Sequence, residues 1–105
     1  MTQNLFDIAS VPSEGELAEN LLSYKNITIK RIVSSDRLET DTFCQEEAEW
    51  VSLLQGSAEI VMNEERYKLQ KGDSLFIPPL QKHTIAKVEK GTVWLAIHIY
   101  GEERL

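Results

Sequence analysis

From Asn26 onward, turn signals recur about every 8–12 residues, a spacing that fits short strands and leaves no room for long helices. Residues 27–33 begin with clean alternation and are rich in β-branched side chains. Residues 50–54 and 58–62 flank the turn signal Gly56-Ser57, and Asn63-Glu64-Glu65 leads into residues 66–69. Lys71-Gly72-Asp73 marks a further turn before Ser74–Ile77, which ends at Pro78-Pro79 because neither proline can donate to a ladder. After a loop come His83–Val88, the turn Glu89-Lys90-Gly91 and a last run over residues 92–100. The pattern predicts an all-β, antiparallel sandwich or barrel, and the lack of alternating long helices excludes a parallel α/β sheet. In the last strand Trp94, Ala96 and His98 point one way, and Val93, Leu95, Ile97 and Ile99 the other. Both faces are largely apolar, so one needs cover from the N-terminal arm or from a second subunit.

Ahead of this body, residues 1–25 read as an arm with a short helix, and residues 26–105 as the barrel, together one domain. Pro12-Ser13-Glu14-Gly15-Glu16 has the form of a helix start, with Ser13 as N-cap and Glu16 closing a capping box. Leu17/Leu21 and Ala18/Leu22 then fall at i,i+4 spacing and predict one apolar stripe. So short a helix is marginal alone and must pack on the body or on a partner chain.

Charge narrows the function. Seventeen acidic residues against eleven basic ones give a formal net charge of −6. Phosphate neutralisation dominates nucleic-acid binding, so neither a nucleic acid nor an anionic membrane is an expected partner. The sequence shows no membrane-length apolar run, no signal-peptide pattern at its N-terminus, and a single cysteine, Cys44. These features lead to the expectation of a cytoplasmic protein in a reducing compartment.

Two stretches resemble the two motifs of the cupin superfamily. Glu49-Trp50-Val51-Ser52-Leu53-Leu54-Gln55-Gly56 has the spacing that ends the first motif. Gly72-Asp73-Ser74-Leu75-Phe76-Ile77-Pro78-Pro79-Leu80-Gln81-Lys82-His83 follows the second, with Leu80 where a glycine is expected. The resemblance implies a jelly-roll barrel with a mostly apolar interior, here carrying a short N-terminal helical arm. It also implies a divalent metal held by two histidines and a glutamate of motif one and a histidine of motif two. Glu49 and His83 match two of those positions. The other two fall on Phe43 and Gln45 if three residues precede Glu49, or on Thr42 and Cys44 if four do.

Strand parity suggests a substitute set, since residues 43, 45, 49, 51 and 53 share a face if the segment is extended. Gln45, Glu49, His83 and His98 then form a candidate metal site for Zn, Mn, Fe or Ni, with open positions for a substrate. Each has a plainer alternative. Glu49 can be a rim carboxylate paired with Lys87 or Arg31, and His83 can be exposed behind Gln81-Lys82. His98 can be a hydrogen-bonded core histidine, and Gln45 simply solvated. Trp50 and Trp94 read as packing residues, and Cys44 as a free thiol on the opposite parity. Three functions stay open: a small-molecule site with weak metal dependence, catalytic or not, a metal-free binding or sensing module, or a structural protein with a silent barrel. A homodimer is expected in each case, because paired subunits cover exposed strand edges.

Overall fold

The computed structural model describes residues 2–38 and 40–101. Among these the chain forms nine strands and no helix: β1 (Glu16–Tyr24), β2 (Ile27–Ser34), β3 (Thr42–Phe43), β4 (Ala48–Gln55), β5 (Ser57–Met62), β6 (Glu65–Gln70), β7 (Ser74–Ile77), β8 (His83–Val88) and β9 (Thr92–Ile99). Among the described residues no helix is long and apolar enough to cross a membrane. The expected end of the barrel at residue 105 lies outside the described residues.

The strands make two sheets in the orders β1-β2-β9-β4-β7 and β3-β8-β5-β6, with every pairing antiparallel. Their facing sides bury one core built from Val51, Leu53, Ile60, Met62, Leu69, Ile77, Trp94 and Ala96. Alternation along β9 is as the sequence predicts: Trp94, Ala96 and His98 face inward, opposite Ile32, Lys30 and Thr28 of β2.

The N-terminal helix is not present. Residues 16–24 form β1, which pairs with β2 from Glu16↔Ser34 to Tyr24↔Ile27 across the two-residue turn Lys25-Asn26. Ser13 and Glu16 therefore do not form a capping box. Gly15 adopts a φ of 67° and exchanges backbone hydrogen bonds with Arg37 and Ser35, which sets the chain into the ladder. Helix-favouring residues are overridden because β2 offers a complete ladder partner two residues away, while an isolated short helix has no such support. A bulge between Asn20 and Leu22 leaves Leu21 as the extra residue.

The outer side of the five-stranded sheet is apolar, as expected from β9. Val93, Leu95, Ile97 and Ile99 lie beside Val33, Ile29 and Ile27 of β2 in that face. Part of it is covered by the N-terminal segment, which is tied down by Arg31. This buried guanidinium donates to the carbonyls of Asn4 and Leu5, each at 3.2 Å, and pairs with Glu19. Leu17, Leu22, Tyr24, Trp50 and Phe76 remain exposed on the same face.

Two tight turns need glycine for different reasons. Gly56 joins β4 to β5 at φ +93°, and a Cβ there would sit 2.8 Å from the Thr92 Cα. Gly72 has φ +92°, but open space lies where its Cβ would be. Gly72→Ala is therefore expected to cost only the conformational strain, about 1 kcal/mol. Gly56→Ala adds a steric clash with backbone and is expected to cost about 3 kcal/mol. Urea unfolding of both variants checks the difference, and equal losses would contradict it.

Candidate functional site

A cavity of about 190 Å³ opens between the sheets and is lined by Phe43, Gln45, Glu49, His83 and His98 together with Ile32, Val51, Ile60, Ile77, Ile85 and Trp94. All four candidate residues thus share one space. They arrive from different parts of the chain: Gln45 from the β3–β4 connection, Glu49 from β4, His83 from the start of β8 and His98 from the end of β9. Glu49 and His98 are direct neighbours in the β4–β9 ladder. Phe43 and Gln45 line the cavity while Thr42 and Cys44 are exposed, which selects the three-residue spacing before Glu49.

The β7–β8 loop locks this arrangement. Leu80 donates its backbone N–H to the Gln45 carbonyl at 2.8 Å, and His83 Nδ1 lies 3.0 Å from the Gln81 carbonyl. Leu80 has a φ of 58°, so the position where the motif expects glycine does require the left-handed region. The leucine meets that requirement while its side chain is largely exposed.

Within the cavity, Gln45 Nε2 donates to Glu49 Oε1 at 3.0 Å. His98 Nδ1 sits 2.9 Å from Glu47 Oε2, and its Nε2 faces Glu49 Oε2 at 3.8 Å, beyond hydrogen-bond range. The His83 ring stacks on Phe43 with centroids 5.7 Å apart. Glu49, His83 and His98 are all buried, so the readings of a rim carboxylate and an exposed His83 do not hold. Arg31 pairs with Glu19 and Lys87 lies opposite Glu59 in the β5–β8 ladder, so neither serves as the partner of Glu49.

Three further residues were not read as site residues from the sequence. Glu47 orients His98, and its parity with Gln45 and Glu49 was the available signal. Glu16 and Lys30 line the same cavity. Glu16 accepts a hydrogen bond from Ser34 Oγ at 2.7 Å, and Ser34 Oγ in turn accepts from Trp94 Nε1 at 3.0 Å. Burial pushes the Glu16 carboxyl above its ordinary value; the Ser34 hydrogen bond opposes this and the nearby Glu49 charge adds to it.

The metal implied by the motif resemblance does not fit a preformed centre here. Among the described residues, no group of three His, Cys, Asp or Glu side chains is placed to hold a metal ion. One donor position carries a phenyl ring stacked on His83. The other carries an amide whose NH2 is engaged by Glu49.

The raised carboxyl of Glu16 has a defined consequence for stability. A folded-state value above the unfolded one gives stability that is complete at low pH and is lost as pH rises through the raised value. Removing the charge should therefore help most at neutral pH. The Tm of Glu16→Gln relative to wild type is expected to be more favourable at pH 7.5 than at pH 4.5. A difference that is flat or reversed across that range would contradict the assignment.

The sequence matches the Cupin domain family over residues 41–98, more than half of the chain. No curated protein matches significantly. Among solved structures, a candidate mannose-6-phosphate isomerase of Ralstonia eutropha is 28% identical with a TM-score of 0.85, the match covering 96% of this chain and 99% of that one. An RmlC-like cupin of Desulfovibrio desulfuricans is 18% identical, TM-score 0.75, covering 93% and 95%. Salicylate 1,2-dioxygenase of Pseudaminobacter salicylatoxidans is also 18% identical, TM-score 0.72, covering 84% of this chain but 28% of that one. The last two likenesses concern the fold alone. The matched segment runs from just before Phe43 to His98 and so spans the cavity-lining residues Gln45, Glu49 and His83: the chain belongs to the cupin domain family.

Proposed function

We propose that this cupin binds a small molecule inside its barrel and does so without a resident metal. The observation that carries the reading is the shared cavity, where Gln45, Glu49, His83 and His98 form a polar end against an apolar wall of isoleucines, Val51 and Trp94. Few convergent polar groups in an otherwise apolar cavity are what fixes the orientation of a small ligand. A silent barrel would have no use for two buried imidazoles beside a buried carboxylate, since burying such groups costs free energy.

A second reading is catalytic, and one contact favours it. Glu47 holds His98 by Nδ1 and leaves Nε2 toward Glu49, an arrangement suited to proton transfer. The Ralstonia relative suggests sugar isomerisation as one such reaction. A phosphosugar is poorly matched by this cavity, however, because among the described residues Lys30 is its one permanent cation and Glu16 and Glu49 are its acids.

Trp94 lines the cavity, whereas Trp50 lies on the outer face, so Trp50→Phe leaves a single interior reporter. Titrating that variant with small metabolites is expected to change Trp94 fluorescence saturably, with the response lost in His83→Ala. A library in which no compound gives a saturable change would count against the reading.

A second copy of the chain is proposed to cover the outer face. Leu17, Leu22, Tyr24, Trp50 and Phe76 lie exposed there on one sheet, and an isologous pair would bury them together. Light scattering is expected to give twice the 12.0 kDa chain mass. Replacing Trp50 and Phe76 by Glu should return the protein to the chain mass. A wild-type monomer at high micromolar concentration would sink the dimer.

A further inference from the structure

The hydrogen-bonding capacity of the cavity's polar end is lopsided. A carbonyl oxygen can only accept, so in the neutral ring His83 Nδ1, 3.0 Å from the Gln81 carbonyl, carries the proton and leaves the lone pair on Nε2. The same tautomer follows for the neutral ring of His98, whose Nδ1 faces a Glu47 carboxylate oxygen at 2.9 Å. Gln45 gives one N–H of its amide to Glu49 and keeps a second N–H beside its acceptor oxygen. Glu49 keeps Oε2, 3.8 Å from His98 and without a hydrogen bond among the described residues. Trp94, which has a donor, already uses it on Ser34. Two imidazole lone pairs, an amide oxygen and a carboxylate oxygen thus outnumber the remaining Gln45 N–H, and among the described residues Lys30 is the one donor cation on the wall.

From this we infer that the cavity takes a protonated amine bearing an apolar group. The inference deepens the reading of the barrel as a small-molecule site and rests on it. An ammonium supplies three N–H donors and a positive charge to an end made of acceptors and a carboxylate. Its hydrocarbon part would lie against Ile32, Ile60, Ile85 and Trp94. A metal ion is also a cation, but no three His, Cys, Asp or Glu groups among the described residues are placed to ligate one. The organic cation uses the apolar wall that a bare ion leaves uncovered. Lys30 works against the ligand's charge, so its removal should help binding.

The test is a proton–nitrogen NMR titration of the intact protein with n-hexylammonium, n-hexanol and hexanoate, followed by Zn2+ alone. Hexylammonium is expected to shift the amides around Glu49, His83 and Trp94 saturably, and to bind at least about tenfold more tightly than the other two organic probes. Glu49→Gln should weaken it at least about tenfold, and Lys30→Met should strengthen it. The ranking of the three probes needs no variant, so it decides the matter even if Glu49→Gln does not fold. Hexanoate or hexanol binding as tightly as the amine would overturn the inference, as would an amine that gives no saturable shift. One equivalent of Zn2+ bound at micromolar concentration and displacing the amine would also overturn it. If hexylammonium fails while a neutral or anionic compound saturates the Trp94 signal, only the ligand class falls; if nothing binds, the small-molecule reading falls with it.

Discussion

Strand β9 is the constraint on which the rest of the molecule depends. It is hydrogen-bonded along its length to β2 on one side and β4 on the other, so its side-chain alternation is fixed by two ladders at once. A shift of one residue would send Trp94, Ala96 and His98 to the outer face and bring Leu95 and Ile97 inside. In the observed register His98 lands beside Glu49, and Trp94 reaches Ser34 and through it Glu16. The core and the cavity are thus consequences of the same pairing. The bend before β4 then lets Glu47 reach the far nitrogen of His98, while the Leu80–Gln45 hydrogen bond draws the motif-two loop against the motif-one segment.

Much of this was legible from the residues. Alternation and turn spacing placed β2 and β4 to β9 within a few positions, because their apolar residues recur with period two and their turns carry glycine, asparagine or proline. The two motif spacings brought Glu49 and His83 together although 34 positions separate them. Parity alone put His98 on the inner face and Phe43 and Gln45 beside Glu49, as the cavity lining shows.

The failure at β1 has a physical cause. In a regular strand, residues five apart point to opposite faces, so Leu17 and Leu22 do not read as one strand face. The bulge at Leu21 inserts one residue and returns both to the outer face, opposite Val33 and Ile29. A period-two signal is broken by that insertion, and what remains is the i,i+4 pattern of an amphipathic helix. The same misreading hid Glu16, treated as a helix-capping residue when it is a half-buried cavity carboxylate bonded to Ser34. Glu47 was passed over for a different reason: parity groups it with Gln45 and Glu49, but its reach to His98 depends on a bend at residues 46–47 that alternation does not encode.

Phe43 and Gln45 change the chemistry of the barrel more than its shape. Both stand where the motif would supply imidazoles, and both still face the cavity. The result is a set of acceptors and a stacked phenyl ring in place of a convergent donor set. That account rests on where the protons of two histidines sit, and nitrogen-15 chemical shifts of the imidazole rings measure this directly. In the neutral form of each ring, His83 and His98 are expected to carry the proton on Nδ1, with Nε2 showing the shift of an unprotonated nitrogen. Protonation of Nε2 with a bare Nδ1 on either ring would contradict it, since the Gln81 carbonyl or the Glu47 carboxylate would then have no proton to accept.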